Sequence, residues 1–245
     1  GQAPGDVRSQ FVNLDDADLK PAEWDGLTKP ALAAPEDIVV YEAHVRDFSI
    51  NASSRADSTY KGTFMAVTDT ASNGMKHLLA LKDAGLTHIH LLPAFDIASV
   101  TENKSERVEP TISISTRDSE AAQAADRSQD GFNWGYDPYH YGVPEGSYST
   151  NPDGVARIKE FREMVKSLNA NGLRVVMDMV YNHTAASGQD DKSVLDKVVP
   201  GYYYRYDLNG NLQTSSCCSD TACEYTMMEK LMIDTVTRFA MAYKV

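Results

Sequence analysis

The stretch Asn-Gly-Leu-Arg-Val-Val-Met-Asp-Met-Val-Tyr-Asn-His, residues 171–183, decides the fold of this chain. Gly172 is a helix-stop signal, because glycine adopts the left-handed cap conformation without a Cβ penalty. The run after it is nearly all apolar, which predicts a strand covered by helices on both faces. Asp178, Asn182 and His183 lie near and beyond its end, where α/β proteins usually place their chemistry. The alternative is a strand end that merely holds a hydrogen-bonded Asp.

Length and charge limit the classes of protein that the chain can belong to. With 245 residues and a hydrophobic fraction of 42%, it can form one large domain or two small ones. The formal net charge of −12 argues against nucleic acid and anionic membranes as partners, because phosphate binding requires clustered Lys and Arg. No apolar run approaches the ~20 residues of a membrane helix, so no transmembrane segment is predicted. Because the chain begins with Gly1, we interpret its N-terminus as processed or truncated.

The cysteines are Cys217, Cys218 and Cys223. Their spacing, with no His nearby in the sequence, fits no tetrahedral zinc pattern and argues against a metal site. A disulfide between Cys217 and Cys218 would close a small ring and leave Cys223 over. We therefore favour buried or idle thiols.

Strand and helix patterns alternate along the sequence. Strands are predicted at residues 38–43, 87–92 and 173–180. Helices are predicted from their start signals: a cap at Ser72 or Asn73, the pair Asn151 and Pro152, and a capping box from Thr221 to Glu224.

This order predicts an α/β protein with a parallel sheet and right-handed crossovers. Residues 1–36 are interpreted as an extended lead-in, with Trp24 and Leu27 as anchors, and residues 95–130 as an irregular loop. We interpret residues 37–245 as the N-terminal portion of a (β/α)8 TIM barrel, incomplete, with about three βα units and long loops. We expect the chain to end before the fourth strand. The competing interpretation is a small open sheet that is complete in itself.

Aromatic side chains are dense in residues 132–148. Trp and Tyr rings can stack on the apolar C–H face of a pyranose while carboxylates and amides bind its hydroxyls, so the cluster suggests a sugar ligand. The alternative is that the rings pack beneath the long loop.

The motifs that decide between these alternatives occur in a fixed order along the chain. The run from Asn133 to Tyr148 contains Asn-Trp-Gly-Tyr-Asp-Pro, Tyr-His-Tyr and Val-Pro-Glu-Gly-Ser-Tyr, and residues 178–183 read Asp-Met-Val-Tyr-Asn-His. Tyr-Glu-Ala-His-Val-Arg-Asp-Phe lies on the first strand and Gly-Leu-Thr-His-Ile-His-Leu-Leu-Pro on the second. Together they resemble the type I pullulanases, starch-debranching glycoside hydrolases of the α-amylase clan.

The resemblance implies a role for several residues. Tyr136 matches the tyrosine that stacks on the glucose at the cleaved bond, and His183 matches a histidine that hydrogen-bonds the C6 hydroxyl side of that sugar. Asp178 matches an aspartate that holds the site together. Further substrate contacts are assigned to Trp134 and Asp137. Asn182 matches a position that binds calcium in many amylases, which makes calcium the one candidate cofactor.

The resemblance also implies which catalytic groups to expect. The family hydrolyses with retention, using a nucleophile and a general acid about 5–5.5 Å apart. Both belong to later strands, so we expect them beyond Val245 and expect the chain itself to be inactive. The spacing of the remaining candidate acids suggests no such pair: Glu42, Asp47, Asp137 and Glu145.

The resulting prediction is a fragment of an enzyme that cleaves α-1,6-glucosidic linkages in pullulan, starch or glycogen, with an α-glucan as its partner. For the parent enzyme it implies an extracellular, cell-surface or periplasmic location. The alternative function is a non-catalytic carbohydrate-binding or interaction module on an amylase-like scaffold. Isoamylase-like and branching enzymes are the nearest rivals within the enzyme class. Unpaired edges at the first and third strands predict poor solubility.

Overall fold

The chain folds around a parallel sheet, as the alternating pattern predicts. A computed structural model describes residues 10–107 and 130–245. The strands are β1 (Val40–Ala43), β2 (His88–Leu91), β3 (Phe95–Ile97), β4 (Pro138–Pro144) and β5 (Arg174–Met177). The α-helices are α1 (Asn73–Asp83), α2 (Ala156–Ala170), α3 (Leu195–Val198) and α4 (Thr226–Ala242). Within these described ranges, no helix combines the length and the apolarity needed to cross a bilayer.

The three predicted strands pair in the order β1, β2, β5, all parallel. Val40 lies opposite His88, which in turn lies opposite Arg174. Helix α1 connects β1 to β2, and α2 directly precedes β5. Because the strands run in one direction, their carboxyl ends share one edge of the sheet, and the residues that follow them meet there.

Strand β5 is shorter and less covered than the sequence predicts. It ends at Met177, so Asp178 lies just beyond it, although the Asp178 amide still donates to the Leu91 carbonyl at 2.9 Å. Val175 is buried, whereas Val176 on the opposite face is 38% exposed. The prediction that helices cover both faces is therefore wrong for the described residues, because their helices leave one face open.

One strand of an antiparallel ribbon, β3, lies inside the segment that the sequence suggests is irregular. β3 pairs with β4, and Asp96 lies opposite His140. The predicted irregular loop at 95–130 is thus wrong at its start, while residues 108–129 lie outside the described part. The ribbon matters for the site because β4 begins immediately after Tyr136 and Asp137.

Two of the three predicted helix starts are wrong. Ser72 does cap α1, its hydroxyl accepting a hydrogen bond from the Met75 amide at 3.2 Å. Asn151 instead caps a turn, because its side chain accepts from the Asp153 amide at 3.0 Å and α2 begins only at Ala156.

The predicted capping box at Thr221 and Glu224 does not form. The Thr221 hydroxyl donates to the Tyr181 carbonyl, and Glu224 pairs with Arg205 at 2.7 Å. Helix α4 begins at Thr226. Tertiary partners therefore replace both bonds of the predicted box.

The lead-in is tied to the rest of the chain by Arg162 of α2. Trp24 is buried and Leu27 is partly buried against the core, which confirms both predicted anchors. The Arg162 guanidinium donates to the carbonyls of Leu14 (2.9 Å), Leu19 (2.9 Å) and Ala242 (3.1 Å). It also lies over the Trp24 ring, 5.4 Å from the ring centroid. One cation thus joins the lead-in, α2 and the end of α4.

A second buried arginine, Arg157, fastens the ribbon to α2. Its guanidinium donates to Glu102 through both terminal nitrogens, at 2.7 and 2.6 Å, and to Asp96 at 3.1 Å. Asp96 also contacts His140 at 2.5 Å. Burial alone would lower the pKa of Arg157, but the hydrogen bonds and charge of Glu102 raise it. The arginine therefore stays charged and links β3 to α2.

Glu145, at the end of the ribbon, is fully buried beside this cluster. Its two oxygens accept from the amides of Ile97 and Ser147, both at 2.6 Å. Burial, followed by the charges of Asp96 and Glu102, raises the pKa of Glu145 to about 8.

This pKa predicts a pH dependence of stability. The folded-state pKa exceeds the ordinary value of 4.5, so the folded chain holds this proton more tightly than the unfolded chain. The stabilisation is complete below pH 4.5 and is lost as the pH rises towards about 8, at roughly 1.4 kcal/mol per pH unit. The free energy of unfolding in urea, measured from about pH 5 to about pH 8, gives this slope. Glu145→Gln should lower this slope by the contribution of the one carboxyl group, and an unchanged slope would contradict the assignment.

Candidate carbohydrate-binding site

The carboxyl ends of the three parallel strands meet under one loop, residues 132–137, which we call the aromatic loop. His44 follows β1, Pro93 follows the end of β2, and Asp178 follows β5. Each of these three residues contacts one residue of the aromatic loop: His44 contacts Asn133, Pro93 contacts Gly135, and Asp178 contacts Tyr136. The sheet edge therefore positions the loop from below.

Gly135 allows the loop to lie directly against the end of β2. Its φ of +89° is in the left-handed region that favours glycine. A Cβ atom at this position would lie 2.8 Å from both the Cβ and the carbonyl oxygen of Pro93. The close approach therefore requires glycine between the two aromatic residues Trp134 and Tyr136.

His44 holds the start of the loop. Its Nδ1 accepts from the Asp47 amide at 3.2 Å, so the proton is on Nε2, which donates to the Asn133 carbonyl at 2.6 Å. The Tyr148 hydroxyl lies 3.1 Å from the same Nε2. The sequence predicts no role for His44, although it directly follows the first strand, because a bond to a backbone carbonyl leaves no mark in the sequence.

Tyr136 and Asp178 are joined directly. The Tyr136 hydroxyl donates to the Asp178 carboxylate at 2.7 Å. Burial, then the hydrogen bond and charge of Asp178, raises the pKa of Tyr136 to about 12, so the phenol stays protonated and keeps donating. The Tyr136 residue is nevertheless 41% exposed. A ring anchored at its hydroxyl and open to solvent is suited to stacking on a sugar.

His183 lies beside Tyr136, as predicted, but beneath it. The residue is 6% exposed, and its Nε2 donates to the Tyr136 carbonyl at 2.8 Å. Nδ1 is buried and has no hydrogen-bond partner among the described residues. The structure therefore brings Tyr136, Asp178 and His183 together, with His183 supporting the backbone of Tyr136.

The aromatic cluster divides into a buried part and an exposed part. Tyr141 and Tyr148 are buried in the core, as the packing alternative predicts. Phe132 and Trp134 are 48% and 59% exposed. The exposed rings all belong to the aromatic loop, where the sugar-binding interpretation places them.

Asp137, the last predicted substrate contact, is hydrogen-bonded to neighbouring residues of the chain. Its carboxylate accepts from the Ser99 hydroxyl, and its carbonyl accepts from the Ala98 amide at 3.1 Å. Burial raises its pKa. Asp137 thus anchors the loop to the segment after β3.

The other candidate acids are engaged as well. Asp47 pairs with Arg46 at 2.8 Å, and Glu145 is buried against backbone amides. Glu42 is exposed on β1, where its charge contributes to raising the pKa of Tyr136. Three of the four acids, Asp47, Asp137 and Glu145, are therefore committed to other contacts.

Two groups of side chains have the composition of a metal site within the described ranges. Asp96, Glu102 and Glu145 form one, but the Arg157 guanidinium already supplies its positive charge. His183, Cys217 and Cys218 form the other. Asn182 is exposed, and its carbonyl accepts from the Thr221 amide at 3.0 Å.

Cys217 and Cys218 are bonded to each other, and Cys223 is free. The expectation of idle thiols is therefore wrong for the pair. The Cys217 sulfur lies 3.9 Å from Nε2 of His183. The two residues are brought together by a β-bridge between His183 and Asp220, a nonlocal contact that spacing in the sequence does not predict.

Comparison with known proteins identifies relatives of this arrangement. No protein-family model matches the chain. It is 47% identical over 250 residues to Pullulanase 1, chloroplastic, of Arabidopsis thaliana, covering 98% of this chain and 26% of that protein. It is 38% identical over 282 residues to a pullulanase of Klebsiella aerogenes, covering 97% and 26%. To Isoamylase 3, chloroplastic, of rice it is 30% identical, covering 97% and 28%.

Solved structures agree with the sequence comparison. A Klebsiella pneumoniae pullulanase complexed with maltotriose superposes with a TM-score of 0.88 at 36% identity, covering 97% of this chain and 27% of that one. An apo pullulanase from the same organism gives a TM-score of 0.89 at 36% identity, covering 97% and 30%. The chain thus spans about a quarter of the length of the curated pullulanases that it matches.

Proposed function

Because this chain is homologous over nearly its whole length to a segment of the type I pullulanases, we propose that it is part of an enzyme that hydrolyses α-1,6-glucosidic linkages in branched α-glucans. We also propose that its parallel strands are the first three of a (β/α)8 barrel. The consecutive strand order and the helices between the strands support this architecture. In this proposal, residues 37–245 belong to the barrel and residues 1–36 lead into it.

The observation that carries the proposal is the contact between Tyr136 and Asp178 above His183. Asp178 and His183 follow β5, and they meet Tyr136 of the aromatic loop at the carboxyl edge of the sheet, where barrel enzymes place their active sites. The Tyr136 ring is exposed to solvent and is held in position by the bond of its hydroxyl to Asp178. Trp134 is exposed two residues earlier. The exposed rings of Trp134 and Tyr136 would form one side of the glucan-binding site, which we call the sugar wall. Later strands would supply the nucleophile and general acid.

Calcium at Asn182 and an extracellular, cell-surface or periplasmic location both stay predictions. The exposed Asn182 side chain is compatible with a ligand from solvent. Calcium binding would be tested by calorimetric titration of the chain with Ca²⁺, with Asn182→Ala as the variant expected to lose the signal.

The function is tested by replacing Tyr136 in the full-length protein. Tyr136→Ala should lower kcat/KM on pullulan by about 10- to 100-fold, or roughly 1.4–2.7 kcal/mol, because the stacking face is lost. Tyr225→Ala is the matched control, since Tyr225 is 42% exposed and Tyr136 41% exposed. The control should change kcat/KM by less than about twofold. Equal losses in the two variants would contradict the assigned wall.

The chain of 245 residues should itself release no reducing sugar from pullulan. The four acids considered as substitutes for the nucleophile and general acid do not form a pair, and three of them bind other residues of the chain. Hydrolysis by the purified chain that survives Asp178→Asn would overturn the division of roles proposed here.

A further inference from the structure

We propose that Cys217, Cys218 and His183 form a redox-gated site for a thiophilic divalent cation of the Zn²⁺ type, at the wall that carries Tyr136. The site is closed while the cysteines are bonded to each other and opens when that bond is reduced. The binding of the cation does not depend on the proposed glucan hydrolysis. Only its consequence for the sugar wall rests on that function.

The geometry of the three side chains supports the proposal. Their ligand atoms all lie within 4.8 Å of one another, and the Cys217 sulfur is 3.9 Å from Nε2 of His183. Tetrahedral zinc with bonds of about 2.0 Å to nitrogen and 2.3 Å to sulfur separates its ligand atoms by roughly 3.5–3.8 Å. Small side-chain movements therefore complete three ligands, and water can supply the fourth.

The loop that carries the cysteines is held over His183. Asp220 forms a β-bridge with His183, and its carboxylate accepts from the amide and the hydroxyl of Ser215, at 3.1 and 2.8 Å. These bonds close the loop on both sides of the cysteine pair. The sulfurs are thus positioned by the fold and do not need to be recruited from a free segment. Cys217 is exposed and Cys218 half-buried, so a reductant can reach the bond.

The chemistry balances with a phosphine as the reductant. The sulfur–sulfur bond breaks, the phosphine is oxidised to its oxide with oxygen from water, and the two protons of that water go to the two thiols. Binding of the cation then releases both protons as the sulfurs coordinate it as thiolates. The oxidised pair offers no thiolate, which is why reduction gates the site.

Binding would change the contact beneath Tyr136. In the structure Nε2 of His183 donates its proton to the Tyr136 carbonyl at 2.8 Å. A nitrogen that carries a proton cannot ligate a metal, so the neutral ring must move its proton to Nδ1, which is buried and has no partner among the described residues. The cation and the Tyr136 carbonyl therefore compete for one atom, and the bound cation releases the support of the stacking residue.

The test uses the chain as it is and Cd²⁺ as the probe, because thiolate-to-cadmium charge transfer is visible in the ultraviolet. After reduction with a phosphine, the chain should bind one Cd²⁺ at least about 100-fold more tightly than the oxidised chain. Cys217→Ser, Cys218→Ser and His183→Gln should each weaken binding by about tenfold or more. Cys223→Ser is the matched control and should bind within about twofold of the original chain.

Two outcomes would overturn the site. One is equal Cd²⁺ affinity of the oxidised and reduced chains. This comparison uses only the unsubstituted chain, so it does not depend on whether any variant folds. The other is a loss in Cys223→Ser as large as that in Cys217→Ser, with far-ultraviolet circular dichroism showing both variants folded. Because no glucan is present, these outcomes are independent of the hydrolase proposal.

Discussion

Replacing Arg157 by Met is expected to destabilise the chain by about 3–5 kcal/mol, because it removes the only cation that the structure shows bonded to both Asp96 and Glu102. Arg157 is 3% exposed, and the two carboxylates are 1% and 3% exposed. A buried carboxylate without a partner must be neutralised or hydrated, and either change weakens the bond between the ribbon and α2. The free energy of unfolding in urea at neutral pH measures the loss.

A graded set of variants separates this effect from a general loss of charge. Arg157→Lys keeps the charge but cannot bind both oxygens of Glu102, so its loss should be intermediate. Arg205→Met removes an arginine that pairs with Glu224 at the surface and should have a much smaller effect. If Arg205→Met cost as much as Arg157→Met, the buried cluster would have no special part in stability.

Gly135→Ala is expected to cost about 2–4 kcal/mol and to displace the aromatic loop. The residue has a φ of +89°, and a Cβ there would lie 2.8 Å from the carbonyl oxygen of Pro93. Backbone atoms cannot move aside as a flexible side chain can, so the loop must move away from β2. Unfolding in urea measures the cost, and in the full-length protein a loss of kcat/KM on pullulan reports the displacement of Tyr136.

Gly210→Ala is the matched control for this substitution. Gly210 has a φ of +81°, and a Cβ there would meet nothing within 4 Å. Its cost should be only the conformational part, about 1 kcal/mol. The difference between the two variants isolates the contact with Pro93. Equal costs would show that close approach to β2 is not what Gly135 provides.

The parallel strands could be predicted because their signals are local. Apolar runs predicted β1, β2 and β5 within a few residues. The ribbon could not be predicted in the same way. β3 has only three residues, and its partner β4 begins about 40 residues later, after a segment without periodicity.

Local signals also failed where tertiary bonds replaced them. Thr221 and Glu224 match the sequence pattern of a capping box, yet Thr221 bonds to Tyr181 and Glu224 pairs with Arg205. The placement of Tyr136, Asp178 and His183 near one another was implied by the resemblance to the pullulanases. The burial of His183 and its contact with Cys217 did not, because both depend on a β-bridge to Asp220.

The bonds of Arg162 have a consequence for the order in which the chain acquires its structure. They join residues separated by 143 and 148 positions in the sequence, and a further 80 positions separate Arg162 from Ala242. During synthesis the lead-in therefore emerges long before its partners and must wait for them. Such contacts lengthen the loops that have to close and slow folding. Docking of the lead-in should accordingly be a late event, with Trp24 fluorescence reporting it after the sheet has formed.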